Sequence, residues 1–315
     1  MSPSSSEERL VPPQLMPGDR IRVVSPASTP EQDRVAQGVA LLTSWGLVVE
    51  MGRHVFDRHG HYLAGTDEDR LADLNGAFRD PGVRAIITTQ GGKGSYRIAN
   101  AIDFDAVRRD PKTLTGFSDI TFLHLALYRH CRLATLHGPF PSLEDCFFGP
   151  EAAEALRLAL MTTEPTTVRP RPYASTAPLT TQGQATGVLL GGNLRSIGQS
   201  VGWGPTFAGA ILLLEAVDMM PGEMDGLLTQ LLHSGVLVGL DGVAVGDFIR
   251  SAEGGPGKWS FLDILGDFLG QLRVPILGGL PIGHGPHPAT VPLGTVAVLD
   301  ADAETLTVEA GVHRR

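Results

Sequence analysis

From Arg20 onward the chain alternates between short apolar runs of strand length and longer stretches with a single apolar face, and several of the apolar runs end in glycine or serine turns. Such alternation predicts βα units, and βα units in series build a mostly parallel sheet covered by helices on both faces. Arg20-Ile-Arg-Val-Val24 reads as the first strand. Ser25-Pro-Ala-Ser-Thr-Pro-Glu-Gln32 opens a helix with capping and N1-proline chemistry, with Val35, Val39, Leu41 and Leu42 on its apolar face. Gly46 ends that helix and residues 47–50 resume as a strand. Residues 67–78 form another amphipathic helix and 85–89 a strand that runs straight into glycines. The pattern continues through a strand at 113–115, a turn at Gly116-Phe-Ser-Asp119, and a helix from Ile120 to about Arg129.

Between Thr162 and Gln184 the composition shifts to Thr, Pro, Arg and Ser with little apolar periodicity, which reads as a linker or mobile loop. The expected organisation is a polar leader over 1–14, an N-terminal α/β domain over 15–161, a linker over 162–184 placed to act as a lid, and a C-terminal domain over 185–315. The second half alternates strands at 210–214, 243–248 and 295–299 with glycine-rich turns and helices near 225–233 and 261–272. The fold class is therefore α/β, with a doubly wound, mostly parallel N-terminal sheet and a smaller C-terminal mixed α/β domain. No internal repeat is found.

Composition narrows the function. The 315 residues are 42% hydrophobic, enough for real cores, and the 39 glycines and 23 prolines lack a fixed period, so disordered and fibrous classes are excluded. A net charge of −9 repels phosphate backbones and anionic lipid, which argues against a nucleic-acid or membrane partner. The longest apolar runs are too short to span a bilayer and the N-terminus lacks the pattern of a secretory signal, so a soluble, cytoplasmic protein is expected. Cys131 and Cys146 read as buried thiols in a reducing compartment.

In open parallel sheets, ligands collect outside the carboxyl ends of strands, at helix N-termini whose free amides favour negative charge. Two junctions qualify: Gln90-Gly-Gly-Lys-Gly-Ser95 and Gly116-Phe-Ser-Asp-Ile-Thr121. The second has the local shape of a nucleophile elbow around Ser118, although the glycine expected two positions later is Ile120; the alternative is that Ser118 simply caps the helix. A serine nucleophile needs a base and a residue that orients it. His284, in Leu280-Pro-Ile-Gly-His-Gly-Pro286, and Glu215, ending the run Ile211-Leu-Leu-Leu214, are candidates. Against them stand a solvated loop histidine and a carboxylate paired with a structural arginine or backbone amide. The order serine, acid, histidine is that of the α/β-hydrolases. Asn193 either closes its own turn or lines a cleft, His137 beside Gly138-Pro139 is equally ambiguous, and Asp119 is a first-turn residue favoured by the helix dipole. A phosphate-binding reading of Gln90–Ser95 fails the P-loop spacing because Gly94 separates Lys93 from Ser95. The pairs His59/His61 and His284/His287 lack a third metal ligand at a recognisable spacing, so neither metal nor cofactor is expected.

At these residues the chain resembles the LD-carboxypeptidase family, serine peptidases that include the microcin C self-immunity hydrolases. The resemblance runs from about Leu15 to about Ala310. It is carried by Pro17-Gly-Asp-Arg-Ile-Arg-Val-Val-Ser-Pro-Ala27, Ala64-Gly-Thr-Asp-Glu-Asp-Arg-Leu-Ala-Asp-Leu74, Gly91-Gly-Lys-Gly-Ser95, Gly116-Phe-Ser-Asp-Ile-Thr121, His137-Gly-Pro139, Gly191-Gly-Asn-Leu194, Leu214-Glu215, and Gly283-His-Gly285 followed by Pro292-Leu-Gly294. It implies Ser118 as nucleophile, His284 as general base and Glu215 as the residue that orients it. The backbone amides of Gly92 and Asp119 would form the oxyanion hole, and Gln90, Gly91, Lys93 and Asn193 would meet a small peptide or aminoacyl substrate. It also implies a homodimer. The chain departs from the murein-recycling members at Gln90 and Lys93, where arginine and an aromatic are usual, at Ala216 in place of aspartate, and at Pro221-Gly-Glu-Met-Asp225. Tyr173 is the nearest counterpart of the base-stacking aromatic in the interdomain loop of the microcin-type members. These departures keep open a related amidase or acyl-transfer enzyme of specialised metabolism or self-immunity.

Overall fold

Two sheets take up the alternation, the first built almost entirely from the first half of the chain. The computed structural model describes residues 8–141, 149–251 and 258–315. The first half runs β1 (Arg20–Val24), α1 (Gln32–Ser44), β2 (Val48–Met51), α2 (Asp67–Arg79), β3 (Val83–Thr88), α3 (Ser95–Ile98), α4 (Phe104–Arg109), β4 (Thr113–Gly116), α5 (Thr121–Cys131), β5 (Thr135–His137) and α6 (Gly149–Met161). Its strands lie in the order β2-β1-β3-β4-β5, all parallel. The order reverses between β1 and β3, and in such sheets the crevice at the carboxyl ends near that point is where ligands bind.

The second half runs β6 (Thr166–Val168), β7 (Gln184–Asn193), α7 (Leu194–Gln199), β8 (Ala210–Val217), α8 (Pro221–His233), β9 (Gly242–Ile249), α9 (Phe261–Leu272), β10 (Ile276–Leu277), β11 (Val291–Leu293), β12 (Val296–Asp300) and β13 (Thr305–Val308). The second sheet is ordered β10-β9-β8-β7-β12-β13-β6, parallel from β7 to β10 and antiparallel elsewhere. One strand changes sides: β11 leaves its sequence neighbours and pairs antiparallel with β5, Val291 opposite His137 and Leu293 opposite Thr135.

Local chemistry explains the best-defined elements. Thr66 and Asp69 close a capping box on α2, whose first turn carries three acidic residues and whose last carries Arg79, matching the helix dipole at both ends. Ser260 and Asp263 cap α9 in the same way. The apolar face of α9, Phe261, Ile264, Leu265, Phe268 and Leu269, packs into a core that includes Leu212, Leu214 and Val245. In β8, Ile211, Leu212, Leu213 and Leu214 have no solvent exposure, so truncating one of these leucines to alanine costs about 2–5 kcal/mol.

Three expectations change. Residues 25–30 do not cap α1: the helix starts at Gln32 behind Glu31, with no side-chain cap. The leader is tied down from Leu10, which bonds Arg132 and Ala134 through its backbone, while Gln14 bonds His313. The 162–184 segment is not bare linker: Thr166–Val168 is a strand paired with β13, and the cleft described below is lined by residues outside the segment. Cys131 is buried; Cys146 lies outside the described residues.

Candidate active site

The turn after β4 carries a left-handed backbone. Ser118 adopts φ 62°, in the left-handed region that a residue with a Cβ enters only at a cost of order 1–3 kcal/mol. Such a turn between strand and helix projects a side chain away from both elements. The Ser118–Ile120 turn continues into α5, so the Asp119 amide sits at the start of a helix. Asp119 is fixed from the neighbouring junction: its Oδ2 accepts from the Ser95 amide at 2.8 Å, and its carbonyl accepts from Ser95 Oγ at 2.5 Å. Burial raises the Asp119 carboxyl above its ordinary value against the pull of Ser95, Lys93 and Arg70.

The glycine turn after β3 is pressed against Ser118. A Cβ added at Gly91 would lie 2.7 Å from Ser118 Cβ, 2.9 Å from the Asp119 amide nitrogen and 3.0 Å from Ser118 Oγ, so only glycine leaves that space open. The turn is braced behind. Ser28 Oγ accepts from the Lys93 amide at 3.1 Å, and buried Arg70 donates to the carbonyls of Pro26 and Gly94 at 2.8 and 2.9 Å. Gln90 also braces it: its Nε2 donates to Thr29 O at 2.9 Å, and it stands outside the cleft lining where a substrate contact was expected.

From the second half, β8 delivers Glu215, which has no solvent exposure, and the loop after β10 delivers His284. His284 Nδ1 and Glu215 Oε2 are 2.6 Å apart. Burial alone would push the Glu215 carboxyl up, but the adjoining His284, its hydrogen bond and His137 hold it below its ordinary value. The loop approaches so closely that a Cβ at Gly283, where φ is +116°, would lie 2.7 Å from Glu215 Oε2. Phe117, beside the serine, packs its ring on the His284 imidazole at 4.8 Å between centroids. Ser118 and His284 open into one cleft of about 580 Å³, together with Gly92, Lys93, Asp119 and Asn193.

Asn193 does both things weighed for it. It caps α7, its Oδ1 accepting from Ser196 N at 3.4 Å, and it lines the cleft; its own amide donates to Thr121 Oγ1 at 3.0 Å and stitches β7 to α5. Sequence reasoning missed two ion pairs on the rim, Arg195 with Glu223 (2.5 and 2.9 Å) and Arg250 with Asp218 (2.5 and 2.6 Å), because no local pattern joins residues that far apart. His137 lies buried behind the site, its pKa lowered to about 4 by burial despite nearby Glu215. Tyr173 is fully exposed and outside the cleft lining.

Among the described residues one cluster has metal-ligand geometry, His54, Asp57 and Asp69, whose ligand atoms lie within 4.8 Å of one another. Its atoms are already engaged: His54 Nδ1 with Asp57 Oδ2 at 2.7 Å, and Asp69 Oδ2 in the α2 capping box. His59/His61 and His284/His287 form no such group among the described residues. No helix among them is long and apolar enough to cross a membrane.

This arrangement has a counterpart in sequence space. The LD-carboxypeptidase N-terminal domain matches residues 21–138, and the LD-carboxypeptidase C-terminal domain matches residues 186–299. The chain belongs to the LD-carboxypeptidase family. It is 40% identical over 308 residues to a Streptomyces coelicolor protein named as a candidate carboxypeptidase, covering 96% of this chain and 97% of that one. It is 31% identical over 294 residues to the murein tetrapeptide carboxypeptidase of Pseudomonas aeruginosa, covering 90% and 94%. In fold it is similar to the MccF-like protein of Bacillus anthracis, with a TM-score of 0.83 at 26% identity, covering 96% of this chain and all of that one. This LD-carboxypeptidase relative is thus a carboxypeptidase-family serine hydrolase with a mixed α/β fold.

Proposed function

We propose that Ser118, His284 and Glu215 act as nucleophile, general base and orienting carboxylate in hydrolysis of an amide bond next to a terminal carboxylate. The observation that carries this reading is the 2.6 Å contact between His284 Nδ1 and Glu215 Oε2 on the wall of the cleft into which Ser118 opens. With Nδ1 engaged by the carboxylate, the imidazole keeps the tautomer whose Nε2 accepts a proton. Nε2 takes the Ser118 Oγ proton as Oγ attacks the scissile carbonyl. The Gly92 and Asp119 amides receive the oxyanion. Nε2 then protonates the departing amine, the C–N bond breaks, and an acyl-enzyme remains. Water, deprotonated by the same nitrogen, releases the acid and restores the serine.

The substrate of this proposal is a short peptide of the murein kind, ending in a carboxylate, with Lys93 and Asn193 at the subsite. A related amidase or acyl-transfer role is the second reading, favoured by one observation: Lys93 and Glu223, both departures from the usual family pattern, line the cleft. The proposed setting is the cytoplasm and the proposed assembly a homodimer, which sedimentation would test.

A serine-reactive phosphonate is expected to label Ser118, and Ser118→Ala is expected to abolish both labelling and turnover. Labelling at another residue, or a Ser118→Ala variant that keeps its rate, would overturn the assignment. Mass spectrometry of products from murein tetrapeptide, L,D- and L,L-dipeptides and aminoacyl-nucleotide analogues then separates the two readings. Release of a terminal D-amino acid supports the first, and an acyl group handed to an amine supports the second.

A further inference from the structure

The segment joining the two sheets grips the far side of the turn that presents His284. Arg171 Nη2 donates to the carbonyl oxygens of Pro286 and of His287, the latter at 3.2 Å, and Nη1 stands 3.4 and 3.5 Å from Oδ1 and Oδ2 of Asp247. Asp247, near the end of β9 and only 7% exposed, holds the same turn from inside. Its amide donates to Ile282 O at 2.9 Å, and its carboxylate faces the Gly285 amide so closely that a Cβ on Gly285 would lie 2.1 Å from Oδ2. Arg171 is anchored in turn by its own amide, which donates to Gly279 O at 2.8 Å. Thr176 continues the attachment through Gly246 O and the Gly279 amide, each at 3.0 Å.

The turn cannot hold itself. Gly283 and Gly285 flank His284 and lose the most conformational freedom on ordering, and His287 sits at φ 46°, which costs free energy in a residue with a Cβ. The order therefore has to come from outside the turn. Burial, and to a lesser extent Glu215, raise the Asp247 carboxyl to about 6 against the pull of Arg171, so removing the guanidinium weakens the inner hold as well as the outer one.

We infer that Arg171 and Asp247 are positioning residues that clamp the Gly283–His287 turn and thereby keep the His284 imidazole in line with Glu215 and Ser118. The inference rests on His284 serving as the general base. A displacement of about 1 Å at a reacting group costs on the order of 10²-fold in rate, and neither Arg171 nor Asp247 lines the cleft. Loss of the clamp should therefore appear in kcat and leave KM within about threefold.

The test is Arg171→Ala in the full chain, read in three ways. Turnover is expected to fall about 10²-fold and to recover at least tenfold on adding guanidinium ion, which fits the vacated fork. The imidazole proton between His284 Nδ1 and Glu215 Oε2, followed by proton NMR, is expected to broaden or vanish and to return with guanidinium. Should Arg171→Ala fail to fold, Arg171→Lys and Asp247→Asn replace it, with the same resonance as readout and a smaller fall in kcat expected from lysine. Unchanged kcat with an unmoved resonance, while phosphonate still labels Ser118, overturns the clamp alone. A label that misses Ser118 overturns the base assignment and with it the catalytic purpose of the clamp.

Discussion

Ser118 shows what a single position can and cannot reveal. Its place after an apolar run and two residues beyond a glycine marked it, but its left-handed backbone is set beside Gly91, and the following Asp119 is held by Ser95, neither of which a local pattern contains. Glu215 was legible for a different reason: a carboxylate at the end of Ile211-Leu-Leu-Leu214 must have a partner, and the partner is His284. Gln90 spends its side-chain amide on Thr29, whereas its neighbours Gly92 and Lys93 line the cleft. Asp247 went unremarked, although it obeys the logic that exposed Glu215, an acid near the end of the buried strand β9. At this scale the sharpest prediction concerns Gly91→Ala. The added methyl would crowd Ser118 and the Asp119 amide, so kcat should drop roughly 10²–10³-fold, the worth of one oxyanion donor, while far-UV circular dichroism stays unchanged. Near-normal turnover in that variant would show that the space beside the Asp119 amide is not needed.

Elements with strong periodicity were readable: α2, α9 and the buried strands β8 and β9 follow from their own residues, whereas the capping boxes at Thr66 and Ser260 went unread. Short elements such as β6, β10 and β11 were not, because two or three residues carry too little pattern and pair only through distant partners. The packing of α5 on β5 has a consequence for acid stability. His124 on α5 donates from Nε2 to Gly116 O and has its pKa lowered to about 3, chiefly by burial; His137 on β5 is lowered to about 4. An unfolded chain protonates both near 6.5, so between 6.5 and about 4 it binds more protons than the folded one, and stability falls as pH falls through that window. For His137 the full effect is roughly 3 kcal/mol. Asp247, raised to about 6, opposes part of this loss. His124→Gln retains an N–H for Gly116 and removes one titration. Urea unfolding at about pH 7 and about pH 4.5 should therefore show a larger loss in the wild type than in the variant, and equal losses would contradict the assignment.

For the whole molecule, the alternation of βα units announced the first sheet and its parallel order, whereas the crossing of β11 onto β5 was invisible in a sequence read left to right. That crossing, the Asn193–Thr121 bond and the backbone bond from Gln14 to His313 bind the two halves through backbone as well as side chains. Calorimetry should accordingly give one cooperative transition with matching calorimetric and van't Hoff enthalpies; two resolved transitions would mean that the sheets melt separately. The same crossing sets an order of events at the ribosome. Ser118 emerges early, with its sheet still lacking β11, and His284 arrives only shortly before that strand. Under the proposed roles, a nascent chain therefore lacks its general base until nearly all of these elements have been made.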